Sequence, residues 1–557
     1  MPITSQQKKY IKKNLKNFTV SQLSEKLDIS YQELDAYLKK RLDKDRYGKI
    51  IAKNDSPSFE STRDPKNPAR FNFKSFVADN INIFILLFAV IFIVYFNSLG
   101  NGFVSDDIGS ILKNPDINNP KVVFSLGSGF IQKIVLYIVF SLFGDNPTYF
   151  RIFNILFHFG STLVIFSILN ILTKKRIVAL FSAIIFAVHP ILIESVAWIS
   201  GMPYVIYSFF LLLSFLLYML SKNNRKLYWI SLALFILAVN SSEKAIVFFF
   251  ILVAYEISIG SIKNNWKRLI PYFLLNLVLI INFAGKIGYR INALETVHYQ
   301  GSGGMYNPLV QIPIAIASYL RLIFWPNKLT LYHTEMSFTQ AEYIFALLIF
   351  LIFITAVLYF YKKNKPVFFW LAFFVITLIP TITPLKIAWI VAERYVYLGA
   401  LGIIVPAAML FSKIAENEKY KKTVYIGFSI IVLSLSIRTV VRNIDWRNED
   451  NLWIATAKTS PSGPNIHNNL GDVYGRQGNQ EKAVEEFKKA IEINPMYADA
   501  YHNLANTYQK MGKLDEAIEN YQKAIEFNSN LWQSYQNLAS VYFSQGDYEK
   551  AYEYMKK

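Results

Sequence analysis

The chain has 557 residues, 53% hydrophobic and 17% charged, with a formal net charge of +19 and no cysteine. That length allows several domains, and the 17% charge lies below the about 25% usual in a soluble protein. The missing cysteines exclude disulfides, thiol chemistry and thiolate-ligated metals.

The charge deficit is local. Residues 81–440 hold long apolar runs, whereas the head (1–75) and the tail (442–557) are ordinary polar sequence. In the head, the spacing of Thr19–Leu42 predicts two short amphipathic helices joined at Asp28-Ile29-Ser30. Such a pair loosely resembles a helix-turn-helix unit, but it reads as a small cytoplasmic helical module. Lys and Arg cluster in the head and in the loops between apolar runs. Cytoplasmic positive charge is expected there, so the basic balance points to a membrane and not to nucleic acid. Asn54–Asn72 contains three prolines and reads as a linker. The first apolar run begins near residue 81, as in a retained anchor and unlike a cleaved signal peptide.

A membrane crossing needs about 20 apolar residues. Spans are expected near 81–99, 150–173, 177–190, 202–221, 226–241, 244–259, 268–284, 341–361, 367–384, 394–412 and 422–440. The basic clusters are Lys174 to Arg176, Lys222 to Lys226, Lys263 to Arg268, Lys362 to Lys365 and Lys413 to Lys422. With the head in the cytoplasm, eleven spans place all five inside. This parity requires Tyr306–Pro326, broken by Gln311, Pro313 and Arg321, to lie on the outer surface. The membrane domain then runs over 76–441, with its first outer loop at 100–149 and the tail on the same outer side.

The tail repeats with a period of 34, the period of tetratricopeptide repeats. Leu470, Leu504 and Leu538 are in register, as are Tyr474, Tyr508 and Tyr542, Gly478, Gly512 and Gly546, and Ala483, Ala517 and Ala551. Each glycine falls where a first helix must end, often with positive φ. The repeats are bounded as 464–497, 498–531 and 532–557. The fold expected is all-α: a polytopic helix bundle followed by an α-solenoid. Asn469, Asn503 and Asn537 share one position. They are expected to form a carboxamide ladder on the concave face, able to pair with the backbone of an extended peptide.

The first outer loop opens with Asn101-Gly102-Phe103-Val104-Ser105-Asp106-Asp107. Adjacent carboxylates beside a membrane repel and are costly unless solvated or used. One could serve as general base on a hydroxyl, the other as its orienting partner. Other polar residues gather at span ends on the same outer side: His189 and Glu194, Glu243 and Lys244, Glu393 and Arg394. Asn154 and His158 lie inside the second span. Intramembrane ionisable groups suggest a functional site, with structural ion pairing as the alternative.

The order of these pieces is informative. FVSDDIGSILKNPDI (103–117), NILFH (154–158), HPILIESVAWISG (189–201), SEKAIVFFFILVAYE (242–256) and AERYVYLGALG (392–402) come in sequence, and a Trp446 junction leads straight into the repeats. Over residues 81–557 the chain resembles the transmembrane and tetratricopeptide-repeat O-mannosyltransferases, of the GT-C class of polyprenyl-phosphate-sugar-dependent glycosyltransferases. The resemblance implies a GT-C-type bundle and an inverting transfer from a polyprenyl-phosphate-linked sugar to hydroxyls of exported proteins. It implies Asp106 as the catalytic acid-base residue and Asp107 as its partner. Donor binding would fall to His189, Glu194, Glu243, Lys244, Glu393 and Arg394, with Asn154 and His158, and acceptor binding to the asparagine ladder. No metal ligand set is assigned, and no cofactor beyond the lipid-linked donor. The chain departs from the family pattern at Ser242, where a Lys is usual, and at Ile131-Gln132-Lys133, where a basic-aromatic-proline motif is usual. Two other readings use the same residues: transfer to a lipid or polysaccharide, or a membrane scaffold whose repeats recruit partners. The place expected is the cell membrane, with the head inside.

Overall fold

The computed structural model describes residues 31–42, 63–64, 67–125, 129–298, 308–333, 339–382 and 390–556, with isolated positions before residue 31. In the head, helix Tyr31–Arg41 buries Leu34 and Leu38 against Ile11, Leu23 and Ile29. The helix expected ahead of it, and its joint at residues 28–30, lie mostly outside the described residues. So does most of the linker, although a short antiparallel ribbon pairs Arg63–Asp64 with Asn67–Phe71.

The body is helical throughout. Each expected span coincides with a helix, from Phe73–Tyr95 to Glu418–Asp445. Among the described residues, five helices are long and apolar enough to cross a membrane alone: Phe73–Ser98, Pro147–Thr173, Ile199–Leu220, Gln340–Lys363 and Glu418–Asp445. A sixth would be Arg176–Val188 with Pro190–Val196, bent by 55° at His189. The expected count of eleven is therefore not reached by length and composition. Phe130–Phe143, Lys365–Thr381 and Leu401–Ala415 are apolar but shorter. Phe130–Phe143 is a helix inside what reads as the first outer loop. Pro308–Phe324, expected on the surface, buries Ile314, Ile316 and Tyr319.

Helix environment follows composition. Met202–Leu220 buries most of its length, including Leu211, Phe215 and Tyr218, and sits at the centre. Phe73–Tyr95, Gln340–Lys363 and Glu418–Asp445 expose Ile85 and Ile93, Phe345 and Ile352, and Ile430 and Leu433, as lipid-facing helices do. Glycine allows a close helix approach in the bundle: a Cβ at Gly402 would lie 2.5 Å from the Trp370 carbonyl oxygen.

The bundle has two distinct ends. At one, Lys175 pairs with Glu416, Arg176 donates to the Asp79 carbonyl at 3.1 Å, and Arg268 donates to Ser221 at 2.5 Å. Four of the five basic clusters meet there. At the other end, Asn97 Nδ2 donates to the Val440 carbonyl (2.8 Å) and Asn101 Nδ2 to the Asn443 carbonyl (2.9 Å). The first loop is thus stitched to the top of the last long helix.

That helix leads into Glu449–Thr459 and then into helix pairs Pro464–Arg476/Gln480–Ile493, Ala498–Lys510/Leu514–Phe527 and Trp532–Ser544/Tyr548–Met555. Leu470, Leu504 and Leu538 are buried with Ala483, Ala517 and Ala551. Gly478, Gly512 and Gly546 have φ of 82°, 76° and 79°, the left-handed turn that ends each first helix.

Candidate active site

The acidic loop, the segment Glu194–Gly201 and the Glu393–Val396 turn meet at the tail-bearing end. The segment HPILIESVAWISG runs as three short helical pieces, Pro190–Leu192, Ile193–Val196 and Ile199–Gly201. It can fold back on itself because Gly201 has no side chain: a Cβ there would lie 2.5 Å from the Glu194 carbonyl oxygen.

The two carboxylates of the loop have different environments. Asp107 is buried. Its Oδ1 accepts from the Ser200 backbone (2.7 Å) and hydroxyl (2.5 Å), and its Oδ2 accepts from the Val104 N–H (3.3 Å). Burial pushes its carboxyl up to about 6, against the pull of these donors and of the Arg151 charge. Asp106 is exposed. Tyr332 lies beside it: burial and then the Asp106 charge push the phenol up to about 12. Ser105, the residue before Asp106, has φ 53°, a left-handed conformation costly for a side chain.

Arg151 is fully buried and pins three backbone carbonyls: Ala197 from Nε (2.7 Å), Asn101 (2.8 Å) and Gly102 (3.0 Å). One turn on, Asn154 Nδ2 donates to the Trp198 carbonyl at 3.0 Å. Trp198 joins the two halves of the site. Its indole N–H donates to the Val104 carbonyl at 3.3 Å, the Arg394 guanidinium lies 5.6 Å from its ring, and Trp446 lies 5.8 Å away. Glu194 is buried and ion-paired with Arg394, whose backbone N–H it also accepts at 2.7 Å. Lys244 and Arg394 stand 4.2 and 5.1 Å from the ring centre of Tyr395, so two cations share one aromatic ring. Lys244 also lies over Tyr204 (5.2 Å), which Glu243 reaches electrostatically.

The structure therefore brings together Asp106, Asp107, Asn154, Glu194, Glu243, Lys244 and Arg394. It places the remaining candidates elsewhere. His158 is buried between helices, with Nδ1 at 2.8 Å from the Tyr397 hydroxyl and Nε2 at 3.2 Å from the Ala187 carbonyl. His189 accepts the Ile191 N–H on Nδ1 (3.2 Å) and places Nε2 2.9 Å from the Ile323 carbonyl. Both imidazoles have each nitrogen committed within the fold, which leaves them no hydrogen bond for a donor substrate. Glu393 points away from Arg394. It accepts the Thr330 N–H, with Arg442 and His333 at 3.6 Å. The asparagine ladder is also engaged internally. Asn503 donates to Asn468 (3.0 Å), Asn537 to Asn506 (2.7 Å) and Asn469 to the Asn465 carbonyl (2.7 Å).

Sequence reading misses Arg151, Trp198, Ser200 and Tyr332. Arg151 carried a signal, an arginine in an apolar span one turn from Asn154. Ser200 and Tyr332 carried none, because only the folded loop brings them to the aspartates.

Comparison with known proteins fits this layout. Residues 129–286 match the family described as dolichyl-phosphate-mannose-protein mannosyltransferase, and residues 476–512, 498–531 and 520–553 match tetratricopeptide repeat families. The chain is similar to the human protein O-mannosyl-transferase TMTC3, 23% identical over 75% of this chain and 52% of that protein. It is similar to the Caenorhabditis elegans protein O-mannosyl-transferase F38B6.6, 24% identical over 78% of this chain and 65% of that one. A stretch covering 20% of this chain and 12% of the Drosophila melanogaster protein O-mannosyl-transferase Tmtc2 is 32% identical. The chain spans about half to two thirds of the length of these longer matches. A region that matches a mannosyltransferase family model, within a multi-helix membrane body, thus precedes tetratricopeptide repeats in one chain.

Proposed function

We propose that this chain is a membrane glycosyltransferase that moves mannose, or another hexose, from a polyprenyl-phosphate donor to hydroxyls of exported proteins. The observation that carries the reading is the unequal pair of aspartates beside two cations. Asp107 is held by three hydrogen bonds, one from Val104 in the loop and two from Ser200, which leaves exposed Asp106 as the group able to meet a hydroxyl. The names of the relatives, protein O-mannosyl-transferases, support the sugar and the acceptor class.

In this mechanism the donor keeps its prenyl chain among the apolar helices and its phosphate at Lys244 and Arg394. Lysine serves as a point charge, and arginine as a planar donor oriented by Glu194. Asp106 accepts the proton of the acceptor hydroxyl as that oxygen attacks the anomeric carbon. The bond from that carbon to the phosphate oxygen breaks, and polyprenyl phosphate leaves with the electron pair. One displacement inverts the anomeric centre. Asp107, ionised, holds Ser200 and Val104 and so fixes the loop. Glu393 with Arg442, and the imidazoles of His158 and His189, serve the packing of the surrounding helices.

The loop and the repeats face outward and the basic loops face the cytoplasm. An extended acceptor lies along the repeats, where Asn469, Asn503 and Asn537 retain carboxamide oxygens. The test is transfer from defined polyprenyl-phosphate sugars to peptide and protein acceptors, read by mass spectrometry. Transfer to protein hydroxyls supports the reading. Transfer only to lipid or glycan, or none from any polyprenyl donor, overturns it.

A further inference from the structure

The loop that carries the aspartates has a second anchor, and it comes from the tail. Glu449 opens helix Glu449–Thr459, which leads directly to the first repeat. Its Oε1 accepts the backbone N–H of Ser105, the residue before Asp106. Its Oε2 accepts the indole N–H of Trp453 at 2.9 Å. The Trp453 ring stands 6.1 Å from Tyr332, which in turn touches Ser105 and feels the charge of Asp106. One step away, the Gly102 N–H donates to the Arg447 carbonyl at 2.8 Å. Ser105 is one of two non-glycine residues with positive φ among the described residues. A residue in that region persists only where its surroundings hold it, and here the hold on its N–H is a carboxylate from the tail.

We infer that Glu449 is a positioning residue: it clamps Ser105 in its left-handed conformation and so aims Asp106, making the catalytic loop dependent on the tail that carries the repeats. This rests on the reading of Asp106 as the base, but its geometric content can be tested without activity. Asp107 secures the loop from the membrane side through Ser200, and Glu449 secures it from the tail side. The loop is therefore fully ordered only when the entry to the repeats is docked. Acceptor seated on the repeats and base aimed at the hydroxyl thus share one structural element.

The test uses the full chain. Its lack of cysteine makes Val104→Cys, at a buried position, a clean reporter of loop opening by thiol labelling. Glu449→Ala in that background should speed labelling several-fold. In the transfer assay Glu449→Ala should lower kcat by about 10- to 100-fold, the scale of a small misplacement of a catalytic group, with donor KM unchanged. Glu449→Gln keeps an oxygen acceptor for Ser105 and should recover much of the loss. Ser105→Gly added to Glu449→Ala should also restore kcat, because glycine takes positive φ without cost. Labelling at the parent rate in Glu449→Ala overturns the inference, and so does failure of Ser105→Gly to rescue an otherwise folded Glu449→Ala. Faster labelling with wild-type transfer leaves the clamp standing and removes Asp106 as the base.

Discussion

At the scale of single residues, two carboxylates adjacent in sequence are given different environments by burial. Asp106→Asn keeps size and hydrogen bonding but removes basicity. It should cost about 100- to 10,000-fold in transfer with protein level and donor binding retained, and wild-type turnover in that variant would remove the assignment. Asp107 makes a pH-dependent claim. Between the ordinary carboxylate range and about 6, the folded chain holds a proton at Asp107 that the unfolded chain has lost. This group therefore lowers stability as pH rises through that window. Activity runs the other way, since only the ionised carboxylate accepts all three donors. Transfer should fall below about pH 6, and Asp107→Asn should lose that acid limb at a lower plateau. An acid limb with the same midpoint in Asp107→Asn would assign it to another group. The sequence shows the pair but not which member is buried. That depends on Ser200 and Arg151, which are brought to Asp107 from 93 and 44 residues away in the chain.

At the scale of elements, the repeats were the most legible part. Period, glycine turns and packing alanines all read directly from register, because each repeat makes the same local contacts. The asparagines were legible in position and not in partner. Asn503 and Asn537 each donate to an asparagine of the preceding repeat, so they join first helices to one another. Asn503→Ala with Asn537→Ala should destabilise the tail by about 0.5–1.5 kcal/mol per lost bond. Hydrogen exchange of Ala498–Lys510 and Trp532–Ser544 in the full chain would show it, and unchanged protection there would leave the ladder to the acceptor. In the body, every expected span coincides with a helix, but hydropathy left Phe130–Phe143 inside a loop and could not count crossings. Helices such as Phe248–Ser258 and Lys365–Leu378 are packed inside the bundle and need not reach both faces on their own length. The histidines were legible in position and not in partner. A polar group in an apolar helix marks either a site or a buried bond, and both ring nitrogens of His158 and of His189 have partners within the fold.

At the scale of the whole molecule, the separation of basic loops from the acidic loop makes a single topological claim. Gly109→Cys and Ser462→Cys, both at exposed positions, should react with an impermeant thiol reagent from outside the membrane, and Lys222→Cys should not. Opposite sidedness for positions 109 and 462 would contradict the bonds that tie the first loop to the last long helix. That helix also sets a depth. Counted from Lys422 at its basic end, about 20 residues, the run that crosses the hydrocarbon of a bilayer, reach Arg442. Asn443, the next residue, holds Asn101, and Val440 holds Asn97. With Lys422 at one membrane surface, this count of helical residues moors the aspartate loop at the level of the opposite lipid phosphates, since the loop's own length does not set its height. A thicker bilayer would draw the loop toward hydrocarbon and a thinner one would lift it clear, each at the small cost per ångström of hydrophobic mismatch. The height of this candidate site is in that sense gauged to the membrane around it.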